Sequence, residues 1–233
     1  MKRSEINAIL ASSHAFIRQH QHNLPPFAGW TPADWARKGD EVDEIRTRGL
    51  GWDVTDFGSG DFARRGLVLF TLRNGNQGDL KTGRGKLYAE KLMIVEPGQV
   101  TPLHFHWHKT EDIINRAGGN LVVQVYSSTP TGELGDENVA VSVDGTRHVL
   151  ASGAVLTLGP GESISMPDHV YHTFHAVGDR VLAGEVSLVN DDVNDNRFYE
   201  EVGRFPVVEE DEPPLHYLTA DYATRCQASC DGR

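Results

Sequence analysis

The sequence predicts an all-β fold, an antiparallel barrel or sandwich that carries a helical arm at its N-terminus. Three observations lead there. Short apolar runs of strand length recur between Gly51 and Val189. Glycine turns separate them, with Asp144-Gly145 the strongest hairpin signal and Gly159-Pro160-Gly161 another turn. The amphipathic helical stripe lies instead near the start of the chain. The expected organisation is a helical extension over residues 1–50, a barrel over 51–200 and a tail over 201–233, all within one domain.

Taken in order, residues 4–20 present Ile6, Ile9, Leu10, Ala15, Phe16 and Ile17 as a helical stripe, with Ser4 as its cap. Leu24-Pro-Pro-Phe27 ends that helix. Thr31-Pro32-Ala-Asp-Trp35 reads as a cap, a first-turn proline and a second short helix. Trp30, Trp35 and Trp52 are expected to pack these arms onto the main body. Strands follow at 53–57, 67–72, 87–95, 120–126, 139–143, 147–150, 154–158 and 180–189, while 74–78 and 82–85 read as loops. Glu209-Glu-Asp-Glu212 reads as a solvated acidic face. The earlier acidic group, Asp191, Asp192 and Asp195, directly follows the last strand and is expected near a cavity mouth.

A net charge of −11 argues against a nucleic-acid or anionic-membrane partner. No apolar run of signal-peptide length follows the first residues, and none is long enough to span a bilayer. Cys226 and Cys230 are the only cysteines and are read as tail thiols without function. A cytoplasmic, reducing setting is the simplest one for such a chain.

The chemistry concentrates in two blocks. In the first, His104 and His106 alternate on an expected strand, so both imidazoles project from one face, about 7 Å apart along the strand. Glu111 follows after a turn, with a carboxylate expected from the neighbouring strand, and Gly98 and Gly118 bracket the segment as turn points. The second block, Gly161 to His175, holds His169, His172 and His175 as candidates for a further ligand. Paired, the two blocks would set three histidines and one glutamate around one metal, with room for water or substrate oxygens.

The spacing Gly98-x5-His104-x-His106-x4-Glu111-x6-Gly118 matches the first cupin motif. Gly161-x5-Pro167-x-His169-x2-His172 resembles the second, except that His169 stands where glycine is usual and Ala176 where asparagine often ends the motif. The resemblance implies a cupin double-stranded antiparallel β-barrel, or jelly roll, a fold that hosts many unrelated reactions. A narrower resemblance covers nearly the whole chain. Leu24-Pro-Pro-Phe-Ala28, Leu50-Gly-Trp-Asp-Val-Thr55, Tyr88-Ala-Glu-Lys91, His104-Phe-His-Trp107 and Glu111-Asp-Ile-Ile-Asn-Arg116 are similar to the bacterial D-lyxose isomerase family, as is Gly184-Glu-Val-Ser187 followed by Val189-Asn-Asp-Asp192. That family resemblance implies His104, His106, Glu111 and His172 as metal ligands, manganese as the ion, and a homodimer. It implies interconversion of D-lyxose with D-xylulose and of D-mannose with D-fructose. His108 departs from the arginine that family members carry after the tryptophan.

An aldose–ketose isomerase needs a base to move a proton between adjacent carbons and donors for the sugar oxygens. Glu185, a carboxylate inside an apolar strand, is the candidate base. Lys109, between two expected ligands, and Lys91, also inside an apolar strand, are the candidate cationic partners. Asp191, Asp192 and Trp107 are candidate sugar contacts. Two rival readings share the metal set: a sugar-phosphate isomerase, with Thr82-Gly-Arg-Gly85 and Lys86 as its only basic loop, and a cupin dioxygenase, which would want a more apolar pocket. A binding module with a structural metal is a third reading, but no DNA-binding segment accompanies the motifs.

Overall fold

The structure, a computed structural model, describes residues 1–192, 194–203 and 206–226. Helices α1 (Arg3–Gln19), α2 (Pro32–Trp35) and α3 (Asp43–Thr47) come first. The strands are β1 (Gly51–Thr55), β2 (Leu67–Arg73), β3 (Tyr88–Val95), β4 (His104–His106), β5 (Glu111–Ser128), β6 (Leu134–Gly135), β7 (Val139–Val143), β8 (Thr146–Leu150), β9 (Ala154–Leu158), β10 (Ser163–Met166), β11 (Tyr171–Leu188) and β12 (Asn196–Phe198). Helix α4 (Gln77–Thr82) lies between β2 and β3, and α5 (Tyr222–Arg225) ends the described chain.

Two long strands organise the barrel. β5 and β11, 18 residues each, pair antiparallel through most of their length. The first half of β11 lies against 120–126 of β5, and its second half against 111–118. The halves acquire different neighbours. β4 and β9 flank the first pairing, whereas β3 and β10 flank the second. The main path runs β1-β2-β3-β11-β5-β10-β7-β8. This is the predicted antiparallel β-barrel. The strand pair bends where the register shifts after Val177. At that bend Gly118 has φ +95°, and a Cβ there would lie 2.0 Å from the Arg180 carbonyl oxygen. Only glycine permits this approach. Gly118 is thus a bend inside one strand, not the expected turn between two.

The sheet β1-β2-β3-β11 is covered on both faces, which explains why β1 is buried at every position. Val54, Phe70, Ile94 and Leu182 pack outward against Ile6, Leu10 and Ile17 of α1. Met93, Val95, Val181 and Ala183 pack inward with Ile113, Val123 and Phe174. The predicted helical stripe holds at Ile6, Leu10 and Ile17, with Ile9 and Phe16 half-buried but Ala15 exposed, and the tryptophan packing is as expected: Trp52 is buried and donates its indole N–H to the Ala28 carbonyl at 2.8 Å. Thr31 caps α2 as expected, accepting from the Asp34 amide. The Asp144-Gly145 hairpin is also present, both residues at positive φ.

Two expectations change. Ser4 does not cap α1; its hydroxyl donates to Asp211 at 2.6 Å, and Lys2 is the capping residue. Residues 77–82 are helical rather than loop, because Asn76 caps the helix through the Asp79 amide and Gly83 closes it at φ +63°. The acidic run 209–212 is exposed, as expected, but it is not idle. It clasps the start of α1, where free amides and the helix dipole favour negative charge: Asp211 accepts from the Ser4 amide, Glu212 from Asn7, and Glu210 from Arg3. Arg3 is fully buried and also forks onto Asp221 at 3.0 and 3.1 Å. Cys226 is buried beside Trp35 and Tyr222. Cys230 lies outside the described residues. Among the described residues no helix is long and apolar enough to cross a membrane.

Arg3→Ala removes a buried cation that ties the tail to α1, and should cost about 3 kcal/mol in denaturant unfolding. The Glu210 carboxyl is held below its usual range by its hydrogen bond to Arg3, against a smaller opposing effect of burial. Its contribution is therefore present above the usual carboxylate pKa and lost as pH falls, so Arg3→Ala should also flatten the acid limb of stability. Gly118→Ala should cost roughly 3 kcal/mol or more, since it adds both left-handed strain and a backbone clash.

Candidate metal centre

The site begins with β4, which is only three residues long. Strand alternation turns His104 and His106 to one face and sends Phe105 to the other, against Trp107 and Tyr171. Ladder register sets His104 directly opposite His172 of β11. One ring nitrogen from each of His104, His106 and His172 lies within 4.8 Å of the others, so the trio can hold a metal ion. Glu111 enters from β5, which flanks β11 on the side away from β4. It is not on the strand neighbouring β4, as expected, but reaches the same point. Its Oε1 is 2.9 Å from His172 Nε2, and its Oε2 is 3.3 Å from His106 Nε2.

The hydrogen bonds say what this set is built for. His104 Nδ1 meets the Pro102 carbonyl at 2.9 Å and His172 Nδ1 meets the Val170 carbonyl at 3.0 Å. A carbonyl only accepts, so each Nδ1 carries the proton and each Nε2 presents a lone pair to the centre. His172 Nε2 then faces the buried Glu111 Oε1, which has no hydrogen-bond donor. Two acceptors at that distance repel unless a cation lies between them. Charge states agree. Burial pushes the His104 imidazole well below its ordinary value, helped by its histidine neighbours, and burial also lowers His106. Burial opposes ionisation of Glu111, but Lys109, His106 and His172 overcome it and hold the carboxyl well below its usual range. Neutral imidazoles at His104 and His106 beside an ionised Glu111 are the form that binds a divalent ion.

Beside this set lies an ion cluster. Lys109 is buried and bridges Glu111 at 2.9 Å and Glu185 at 2.8 Å. Burial works against its ammonium, but the two carboxylates more than offset this and raise it above the ordinary lysine range. Glu185 is buried too, which pushes it up, yet Lys109 and Lys91 leave it below its usual value. Register pairs Glu185 with Lys91, whose Nζ is 3.3 Å from Glu185 Oε1 and 2.6 Å from Asn190 Oδ1.

All of these line one cavity of about 150 Å³ in the barrel. Its polar end holds the histidines, Glu111, Lys109, Glu185, Lys91 and Asp192; its apolar wall includes Leu67, Leu69, Met93 and Phe174. Two candidate contacts are not there. Trp107 packs on Phe105 and His169, and the Asp191 carboxylate caps its own turn by accepting from Asn194, facing adjoining cavities instead. Even–odd alternation turns Trp107 to the face of Phe105, away from His104 and His106. His108, His169 and His175 do not join the ligand group. His169 takes φ +60°, so it keeps the left-handed turn that glycine would make there. Sequence reasoning passed over Asp53, Thr71 and Asn196, which also line the cavity, and Asn190, which holds Lys91. Inward alternation on β1 and β2 was the available signal for the first two.

Comparison with known proteins decides the family. The model of the D-lyxose isomerase family matches residues 1–222. The chain belongs to the D-lyxose isomerase family. A D-lyxose/D-mannose isomerase of Serratia proteamaculans is 48% identical over 226 residues, covering 95% of this chain and 98% of that protein. Its counterpart from Escherichia coli O157:H7 is 47% identical over the same coverage. The chain is therefore an enzyme of the sugar isomerases, and the expected resemblance holds. Among solved structures, L-ribose isomerase of Cellulomonas parahominis superposes with a TM-score of 0.59 at 16% identity, over 90% of this chain and 98% of that one. L-ribose isomerase of Acinetobacter sp. DL28 in complex with L-ribose gives 0.55 at 15% identity, over 89% and 98%. At such identity these share the fold with this D-lyxose isomerase family member.

The centre should take up one divalent ion per chain after dialysis against metal and desalting, read by elemental analysis. His172→Ala removes a nitrogen that the Val170 carbonyl pre-orients, and should weaken that binding on the order of 100-fold or more.

Proposed function

We propose that the protein interconverts D-lyxose with D-xylulose, and D-mannose with D-fructose, using manganese held by His104, His106, Glu111 and His172. The observation that carries the reading is Lys109 bridging Glu111 of that set to Glu185, within a cavity whose polar end is rich in ionised groups. The named function of relatives at nearly half identity supports the sugar pair. D-lyxose and D-mannose share configuration at C2, C3 and C4, so a cavity that grips the reacting end can accept both.

When bound, the ion would supply a Lewis acid for the two adjacent sugar oxygens. The rest falls to the chain. Glu185, ionised at neutral pH, takes the proton from C2 of the aldose, exchanges it with solvent and delivers a proton to C1, while the proton of the C2 hydroxyl passes to the C1 oxygen, so that the enediol closes to the ketose. Lys109 holds the Glu185 carboxylate in place and offers a positive charge to the oxygen on which charge develops. Lys91 steadies the same carboxylate, 3.3 Å from Oε1 and 3.5 Å from Oε2. Asp192, 3.7 Å from Lys91, offers an acceptor to a sugar hydroxyl. The homodimer that the family resemblance implies is part of this reading.

The sugar-phosphate alternative fits less well. Both lysines of the cavity are already engaged with carboxylates, and a phosphate dianion would meet Glu111, Glu185 and Asp192 at its polar end. The basic loop around Lys86 does not help, since Lys86 pairs with Glu44 outside the cavity.

The test is turnover of D-lyxose in deuterated water by protein reloaded with manganese. Ketose carrying deuterium at C1 is expected. Glu185→Gln should lower kcat roughly 100-fold or more while manganese still binds. Full turnover by that variant would remove Glu185 as the base. No ketose from either aldose would sink the substrate assignment.

A further inference from the structure

We infer that Asp195 is a positioning residue for His106, the hydrogen-bond acceptor that keeps its Nδ1 protonated and its Nε2 turned to the ion. The inference rests on the reading of His104, His106, Glu111 and His172 as one metal site. It comes from an asymmetry among the three imidazoles. His104 and His172 each give Nδ1 to the carbonyl two residues upstream. His106 does not: its Nδ1 is buried and has no hydrogen-bond partner among the described residues. A buried N–H left without an acceptor costs about 1–3 kcal/mol, so a ligand histidine in that state would be poorly held.

The carboxylate of Asp195 stands where the acceptor is wanted. Its Oδ2 lies 3.8 Å from His106 Nδ1, and both residues are buried. The placement is built from several sides. Asp195 Oδ1 accepts from the His108 amide at 2.9 Å. The Asp195 carbonyl accepts from the Trp107 amide at 3.0 Å, and its amide donates to the Asp191 carbonyl at 3.0 Å. The next residue, Asn196, begins β12 and pairs with His106 itself. The aspartate is thus locked beside the end of β4 with one oxygen engaged and the other aimed at the imidazole.

The tautomer argument follows. His106 Nε2 sits 3.3 Å from Glu111 Oε2, where it can donate a proton to that oxygen. An ion bound at the centre needs the Nε2 lone pair, which moves the proton to Nδ1. The new Nδ1–H points at a carboxylate that only accepts. A shift of less than about 1 Å brings it within the usual hydrogen-bond distance. A carboxylate behind a ligand imidazole also raises its basicity, and losing such a partner typically costs 10–100-fold in metal affinity.

The decisive variant is Asp195→Asn. It keeps an oxygen for the His108 amide but turns an NH2 group toward His106 Nδ1–H, donor against donor; flipping the amide only moves the clash to His108. Manganese affinity is measured by the electron paramagnetic resonance signal of the free ion during titration of wild type, Asp195→Asn and Asp195→Ala, beside the unfolding midpoints of the metal-free proteins. Both variants should bind about 10–100-fold more weakly, with Asp195→Asn unfolding close to wild type. Equal affinity in wild type and a folded Asp195→Asn overturns the inference while leaving the metal site intact. A wild type that binds no manganese overturns the metal reading itself. The second measurement needs no variant. Nitrogen-15 histidine spectra of wild type loaded with diamagnetic zinc should show His106 protonated at Nδ1, and an Nε2-protonated ring there would equally overturn the proposal.

Discussion

The centre depends on one ammonium between two carboxylates. Glu111 and Glu185 start from β5 and β11, side by side in the sheet, and both are almost wholly withdrawn from water. Left alone, two buried like charges would force one to take up a proton. Lys109 removes that pressure by contacting both. At these distances each attraction is worth roughly 5 kcal/mol at an effective dielectric of 20, comparable to the penalty of burying an ion. Two attractions for one ammonium are what tip the balance. The consequence is functional as well as structural, since the carboxylate proposed as a metal ligand and the one proposed as the base must both be ionised at the same pH.

Such a cluster needs a scaffold that brings distant strands to one point. The strands β5 and β11 do this by being long and bent, so that each contributes to both walls of the barrel. His172 belongs to the first half of β11 and Glu185 to the second. The cross-strand row Thr71, Lys91, Glu185 and Ile113 then sets the ion cluster on an inward face that is otherwise apolar. Covering the outer face with α1 keeps that sheet dry, and the tail secures α1 through Arg3.

The fold and the ligand group were legible because they obey local rules. Alternation placed His104 and His106 together, and the two spaced motifs pointed to Glu111 and His172. Lys91 and Glu185 stood out as charges inside apolar strands, which one-dimensional patterning can detect. What it could not detect was register. Nothing in the sequence says that Glu185 faces Lys91, or that Lys109, in a loop between strands, turns inward rather than to solvent. Trp107 and Asp191 turn away from the cavity for the opposite reason: nearness in sequence to a site residue is not nearness in space when strand alternation or a turn intervenes. The acidic run 209–212 is exposed as read, but its contacts with the start of α1, some 200 residues away, lay beyond any local rule.

The turn after β11 then carries more of the site than its composition suggests. Asn190 accepts from Lys91, and its backbone is gripped in both directions by Asn74. Asp192 approaches the same lysine, and Asp195 faces His106. A single short segment therefore touches both the ion cluster and the histidine trio, which otherwise communicate only through Lys109 and Glu111. Neither the lysine nor the histidine is fixed by its own strand alone: Lys91 has a flexible four-carbon stem, and His106 lacks the upstream carbonyl that orients the other two imidazoles. The turn supplies the missing constraint in each case. Its acidic residues, which composition alone would assign to solvent, divide between capping the turn and fixing the chemistry, and only the backbone path after Leu188 distinguishes the two uses.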